Sequence, residues 1–135
     1  HQLAGVRRGG YVLHDGAGPL DAIIIATGSE VSLAMAAVKT LDEMGHSVRV
    51  VSLPSTDIFD RQEATYRDKV LPPMVTVRVA VEAGVRGGWV RYVGTHGQVI
   101  GLDTYGESAP AKTVFEHFGF TVDNVVEVVS SLIRR

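Results

Sequence analysis

The sequence predicts an α/β domain, a three-layer αβα sandwich around a mixed sheet of about five strands with one antiparallel edge strand. Three observations lead there. Short apolar runs alternate along the chain with segments whose apolar residues recur at helical spacing. The run Ile23-Ile24-Ile25, bounded by turn residues, has the continuous apolarity of a central strand covered on both faces. The stretch just before it is too short for a parallel crossover, so a first strand that joins the sheet must run antiparallel at an edge.

In chain order, Gly9-Gly10 is a breaker pair and Tyr11-Val12-Leu13 the first short strand. Asp15 to Pro19 is a turn rich in Gly and Pro. After the isoleucine strand, Thr27-Gly28-Ser29 turns into a helix with Val31, Ala34, Met35, Val38 and Leu41 on one face. Ser29 is its expected N-cap, Glu30 suits the positive helix start, and Gly45 suits the stop. Val48 to Leu53 is the next strand and completes a parallel strand–helix–strand unit. Ser55, Thr56 and Asp57 offer N-caps for a short helix, and Arg61 to Val70 is a second helical piece stopped by Pro72-Pro73. Val75 to Val81 reads as a strand, Trp89 to Val93 as a helical turn or two, and Val99 to Leu102 as the last strand. Pro110 opens a helix that Lys112 to Phe118 continues. Thr121 caps the final helix, where Val122, Val125, Val126, Val129, Leu132 and Ile133 share a face.

Composition narrows the function classes. The chain has 135 residues, enough for one domain, and its 45% hydrophobic content supplies one core. Thirteen basic and 15 acidic residues leave a formal net charge of −2, without the basic surplus that nucleic acid requires. The absence of cysteine excludes disulfides and thiolate metal sites. No apolar run approaches the ~20 residues of a membrane span. Residues 1–8, beginning with His1 and carrying no signal-peptide pattern, read as a linker, and residues 9–135 as the domain.

Few residues suggest chemistry. Backbone N–H groups at Gly28 and Ser29 could hold an anion at a helix start. The turn lacks the dinucleotide and Walker fingerprints, and Glu30 would repel a phosphate, so a simple capped turn is the competing reading. Glu82 ends a strand with Arg86 and Arg91 close in sequence, either as a reactive carboxylate or as half of an ion pair at a domain joint. No second carboxylate lies close in sequence to form an acid–base pair, which favours the joint. The histidines, His1, His14, His46, His96 and His117, show no metal-ligand spacing. His96, in a Gly-rich loop, faces either solvent or a partner subunit, and Ser108 is an N-cap or a surface contact. Trp89, Tyr92 and Tyr105 flank Gly-rich loops, where an aromatic either packs inward or anchors an interface. Glu82, Arg86, Trp89 and His96 are the candidate interface residues. No catalytic set emerges, and such a domain either holds neighbours together or binds a small ligand at its strand ends.

Several segments, taken in order, resemble the C-terminal domain of bacterial transketolases. They are Arg8-Gly9-Gly10-Tyr11-Val12-Leu13, Ala26-Thr27-Gly28-Ser29-Glu30-Val31, Arg49-Val50-Val51-Ser52-Leu53-Pro54-Ser55-Thr56-Asp57 and Tyr66-Arg67-Asp68-Lys69-Val70-Leu71-Pro72. Further along come Val79-Ala80-Val81-Glu82-Ala83-Gly84, Gly106-Glu107-Ser108-Ala109-Pro110 and Phe118-Gly119-Phe120-Thr121. The Val85-Arg86-Gly87-Gly88-Trp89 loop departs from the family pattern. The resemblance implies a cytoplasmic parent in the pentose phosphate pathway that transfers a two-carbon ketol unit from a ketose phosphate to an aldose phosphate. It further implies thiamine diphosphate and a divalent cation (Mg or Ca), held by upstream domains across a homodimer interface. None of those motifs is in this chain. The resemblance thus implies an inactive domain that supports dimer and domain assembly. The alternatives are a regulatory domain for small anions and the same domain of a related enzyme such as deoxyxylulose-phosphate synthase.

Overall fold

Ala22, Ile23, Ile24, Ile25 and Ala26 have no exposed surface, and they form the middle strand of the sheet. The computed structural model describes residues 2–28, 30–82, 89–101 and 120–134. The strands are β1 (Tyr11–His14), β2 (Ala22–Ala26), β3 (Val48–Ser52), β4 (Arg78–Glu82) and β5 (Gln98–Gly101). The helices are α1 (Gln2–Arg7), α2 (Glu30–Glu43), α3 (Thr56–Asp60), α4 (Ala64–Val70), α5 (Val90–Val93) and α6 (Val122–Arg134). The sheet order is β1-β3-β2-β4-β5. β3, β2, β4 and β5 run parallel, and β1 pairs antiparallel with β3 at the edge, as the short connection to β2 requires.

The alternation of side chains along β2 divides the core. Ile24, with Val50 of β3 and Val79 of β4, packs against Leu41 and Val38 of α2 and against Val125 and Val129 of α6. Ile23 and Ile25, with Val51 and Ala80, pack on the other face against Phe59 of α3, Val70 of α4 and Tyr92 of α5. The sandwich therefore has three layers. Gly45, left-handed at φ +88°, ends α2 as its position suggested. Ser55 is the N-cap of α3, its hydroxyl accepting from Ile58 N at 3.3 Å, and Thr121 Oγ1 accepts from Asn124 N at 3.1 Å to cap α6.

Two segments differ from expectation. The segment read as a linker contains α1, a short helix that packs on β1. β4 starts at Arg78, three residues later than the alternating pattern from Val75 suggests. Val75 N closes a turn on Pro72 O at 3.0 Å, and the carbonyls of this bend serve Arg78 instead of a neighbouring strand. Ser29, Arg86, Tyr105, Ser108 and the helix expected after Pro110 lie outside the described residues.

Arg49 fastens the edge of the sheet. Its Nε and Nη2 donate to both oxygens of Asp15, at 3.0 and 3.1 Å, while Nη1 donates to the carbonyls of Lys69 and Val70. The Arg49 hydrogen bonds, outweighing the opposing effect of desolvation, hold the Asp15 carboxyl below the usual carboxylate range. A depressed carboxyl stabilises the fold above its unfolded pKa of about 3.9, and that contribution fades as pH falls through the folded value. Asp15 is more than half exposed, so Asp15→Asn is expected to cost only about 0.5–1 kcal/mol at neutral pH. The cost should disappear in acid. Urea titrations at neutral and acid pH check this, and an unchanged difference would refute it.

Candidate functional site

The carboxyl ends of parallel strands are where α/β folds hold ligands. Here Thr27 leaves β2 and its hydroxyl donates to the Glu82 carboxylate at the end of β4. The two residues are 55 positions apart in the chain, and parallel pairing of β2 with β4 brings them together. Gly28 follows at φ +56°, and Glu30 N and Val31 N close the turn on Thr27 O and Gly28 O, at 3.1 and 3.3 Å. Glu30 is buried, and its carboxylate folds back over the turn: a Cβ at Gly28 would lie 3.9 Å from Glu30 Oε2. The helix dipole favours a carboxylate there. The turn thus carries two carboxylates, from Glu30 and Glu82, around its backbone N–H groups.

The opposite end of the sheet is built differently. A cleft of about 580 Å³ opens at the amino ends of β4 and β5. Arg78 lines it and donates four hydrogen bonds, all to carbonyl oxygens: Val75 at 2.9 Å, Tyr92 at 2.8 Å, Leu71 at 3.1 Å and Pro72 at 2.8 Å. One guanidinium therefore gathers the end of α4, the proline loop and α5. Burial lowers its pKa, with the charge of Asp68 opposing the shift. Beside it, Tyr92 donates its hydroxyl to Asp60 Oδ1 at 2.7 Å, and Arg91 Nη2 reaches Asp60 Oδ2 at 3.1 Å. The Arg91 guanidinium also lies over the Tyr92 ring, 4.7 Å from its centroid. Burial, together with the Asp60 bond, pushes the Tyr92 hydroxyl up.

Of the described candidate interface residues, Glu82 and His96 do not share one end of the sheet. Glu82 ends β4, whereas His96 precedes β5 and is exposed on the cleft rim, at the other end of the sheet. Trp89 is 8% exposed and packs on Tyr92 with ring centroids 5.5 Å apart. Sequence reasoning missed Arg78 and Asp60. A signal for Arg78 was present: it is the one charge inside the apolar stretch Val75 to Val81. Among the described residues no group of three or more His, Cys, Asp or Glu gathers to hold a metal ion. No helix of the described residues is long and apolar enough to cross a membrane.

The profile of the transketolase-like TK C-terminal domain matches residues 9–121. Transketolase 1 of Escherichia coli (strain K12) is 58% identical over 132 residues, which cover 98% of this chain and 20% of that relative. The chain thus spans about a fifth of the length of the curated relatives it matches. Among solved structures, transketolase from Leishmania mexicana superposes with a TM-score of 0.87 at 42% identity, over 98% of this chain and 19% of that one. Transketolase from Pichia stipitis, in complex with sedoheptulose-7-phosphate, gives a TM-score of 0.86 at 38% identity, again over 98% and 19%. With the mixed sheet, its antiparallel edge and a profile match over most of its length, this chain belongs to the transketolase C-terminal domain family.

Proposed function

We propose that the domain is the non-catalytic C-terminal part of a transketolase, where it supports assembly of the dimer and of the upstream domains. The single observation that carries this reading is the mismatch of coverage: 98% of this chain aligns at 58% identity with only 20% of its relative. The whole enzyme would transfer a two-carbon ketol unit from a ketose phosphate to an aldose phosphate, in the cytoplasm. Thiamine diphosphate with a divalent cation supplies the carbanion stabilisation for such a transfer when bound.

The donor chemistry of the described residues does not fit that cofactor. A diphosphate needs cations or free backbone N–H groups, and a divalent cation needs a group of oxygen or imidazole ligands. The turn at the carboxyl ends of β2 and β4 surrounds its N–H groups with the Glu30 and Glu82 carboxylates. Thr27 and Glu82 are joined to each other, an arrangement that ties two strand ends and suits a rigid platform. Both the cofactor and the sugar phosphates therefore belong to the upstream domains in this reading.

The test is an assay of the purified 135-residue chain with thiamine diphosphate, magnesium, a ketose phosphate donor and an aldose phosphate acceptor. No transfer product is expected at any protein concentration. Turnover that scales with the amount of domain would sink the reading.

A further inference from the structure

Among the described residues, the two ends of the sheet present different charged groups. At the carboxyl ends, Glu30 and Glu82 flank the Gly28 turn. At the amino ends, the cleft is lined by Arg67, Arg78 and Arg91 against Asp60 and Asp68, one positive charge in excess before His96 is counted. The two carboxylates are not equally available. Asp60 has one oxygen taken by the Tyr92 hydroxyl and the other by Arg91. Among the described residues, Arg78 hydrogen-bonds only to carbonyls, and no carboxylate is in direct contact with it. A guanidinium offers five N–H donors, and four of these are placed. The bond from Arg67 Nε likewise goes to a carbonyl, that of Gln62, at 3.1 Å. Asp68 acts on Arg78 through its charge but shares no hydrogen bond with it, so the half-buried cation is only partly compensated, and an anion in the cleft would relieve the rest of that cost.

The shape fits a small ligand. A volume of about 580 Å³ lies within the range of small-molecule sites, roughly 300–1,000 Å³. Phe59, Leu71 and Val93 supply apolar lining beside the charged groups. We propose that this cleft, at the amino ends of β4 and β5, binds a small organic anion with a carboxylate or phosphate head and a compact apolar body. The head would pair with Arg78 and Arg67, and the body would cover the apolar lining. The site is independent of the catalytic assignment above, since it lies on this domain alone and uses no cofactor.

The experiment is a heteronuclear NMR titration of the 135-residue chain with phenyl phosphate, benzoate, inorganic phosphate and benzamide. Phenyl phosphate and benzoate should shift the backbone amides of Thr76, Gly94, Thr95 and His96 and saturate with a roughly millimolar dissociation constant, as ligands of about ten heavy atoms allow. The tighter of the two identifies the preferred head. Inorganic phosphate should bind at least about fivefold more weakly for want of a body, and the uncharged benzamide should not saturate. Arg67→Gln, an exposed change that leaves the Arg78 clamp intact, should weaken binding about three- to tenfold. Shifts centred on Gly28 to Val31 would overturn the proposal. So would equal binding of benzamide, or the absence of saturable shifts with either aromatic anion.

Discussion

Arg78→Met is expected to destabilise the domain by about 3 kcal/mol, read as a lower urea midpoint with an unchanged slope. The reasoning rests on what the guanidinium leaves behind. Leu71, Pro72, Val75 and Tyr92 each direct a carbonyl at it, the first three from a bend outside the sheet and the last from α5. A methionine fills much of the volume but donates nothing. Each buried carbonyl without a partner costs about 1–3 kcal/mol, and water reaching part of the cleft recovers some of that. Arg78→Lys is the sharper control. An ammonium has three donors at one point, not a planar fork, and cannot span four carbonyls. Lysine should therefore rescue less than half of the loss. A lysine variant as stable as the parent would show that charge, not the fork, is what matters.

Gly9→Ala is the second large effect, also about 3 kcal/mol. Gly9 has φ +82°, where a side chain is strained. It also leaves no room: a Cβ would run into the backbone at Phe59 N and Ser55 O, and lie 2.9 Å from Ile58 Cβ. Ser55 N donates to Gly9 O at 3.0 Å, so the glycine is hydrogen-bonded to the N-cap residue of α3. Moving it would disturb the cap and the Phe59 side of the core together. Gly18→Ala makes the comparison, because its φ is +65° and no atom lies within 4 Å of the added carbon. It should cost about 1 kcal/mol, the strain alone. Thermal or urea unfolding of the pair separates strain from collision, and equal losses would refute the account of Gly9.

Much of the fold was legible because local signals and burial agree. Ile23-Ile24-Ile25 is apolar on both faces and is the middle strand; Gly45 is left-handed where the helix had to stop; Thr121 caps the helix it precedes. The edge position of β1 followed from the length of one connection, a purely geometric limit. Two features were not legible, each for its own reason. β4 begins late because Val75 and Pro72 form a turn whose carbonyls answer to Arg78, and alternation alone carries no trace of that demand. α1 was not foreseen because six residues with a central glycine have little helical preference of their own; packing of Gly5 against Tyr11 supports it. At the candidate sites, Glu82 was visible as a strand-end carboxylate, but its bond from Thr27 depends on a pairing made 55 residues apart. The cleft joins Asp60, Arg67, Arg78 and Arg91 from separate elements, and no spacing in the chain could have announced it.

The placement of α6 over α2 also sets a timetable. The Ile24 face of the sheet is closed by a helix that ends at Arg134, whereas β3 is complete at Ser52. Roughly 80 residues must still leave the ribosome between those points, about ten seconds at a common rate of synthesis. Through that interval Ile24 and Val50 have α2 for cover but not Val125 and Val129. A nascent chain stalled between residues 52 and 122 would thus expose an apolar sheet face, a surface for holding chaperones throughout that interval.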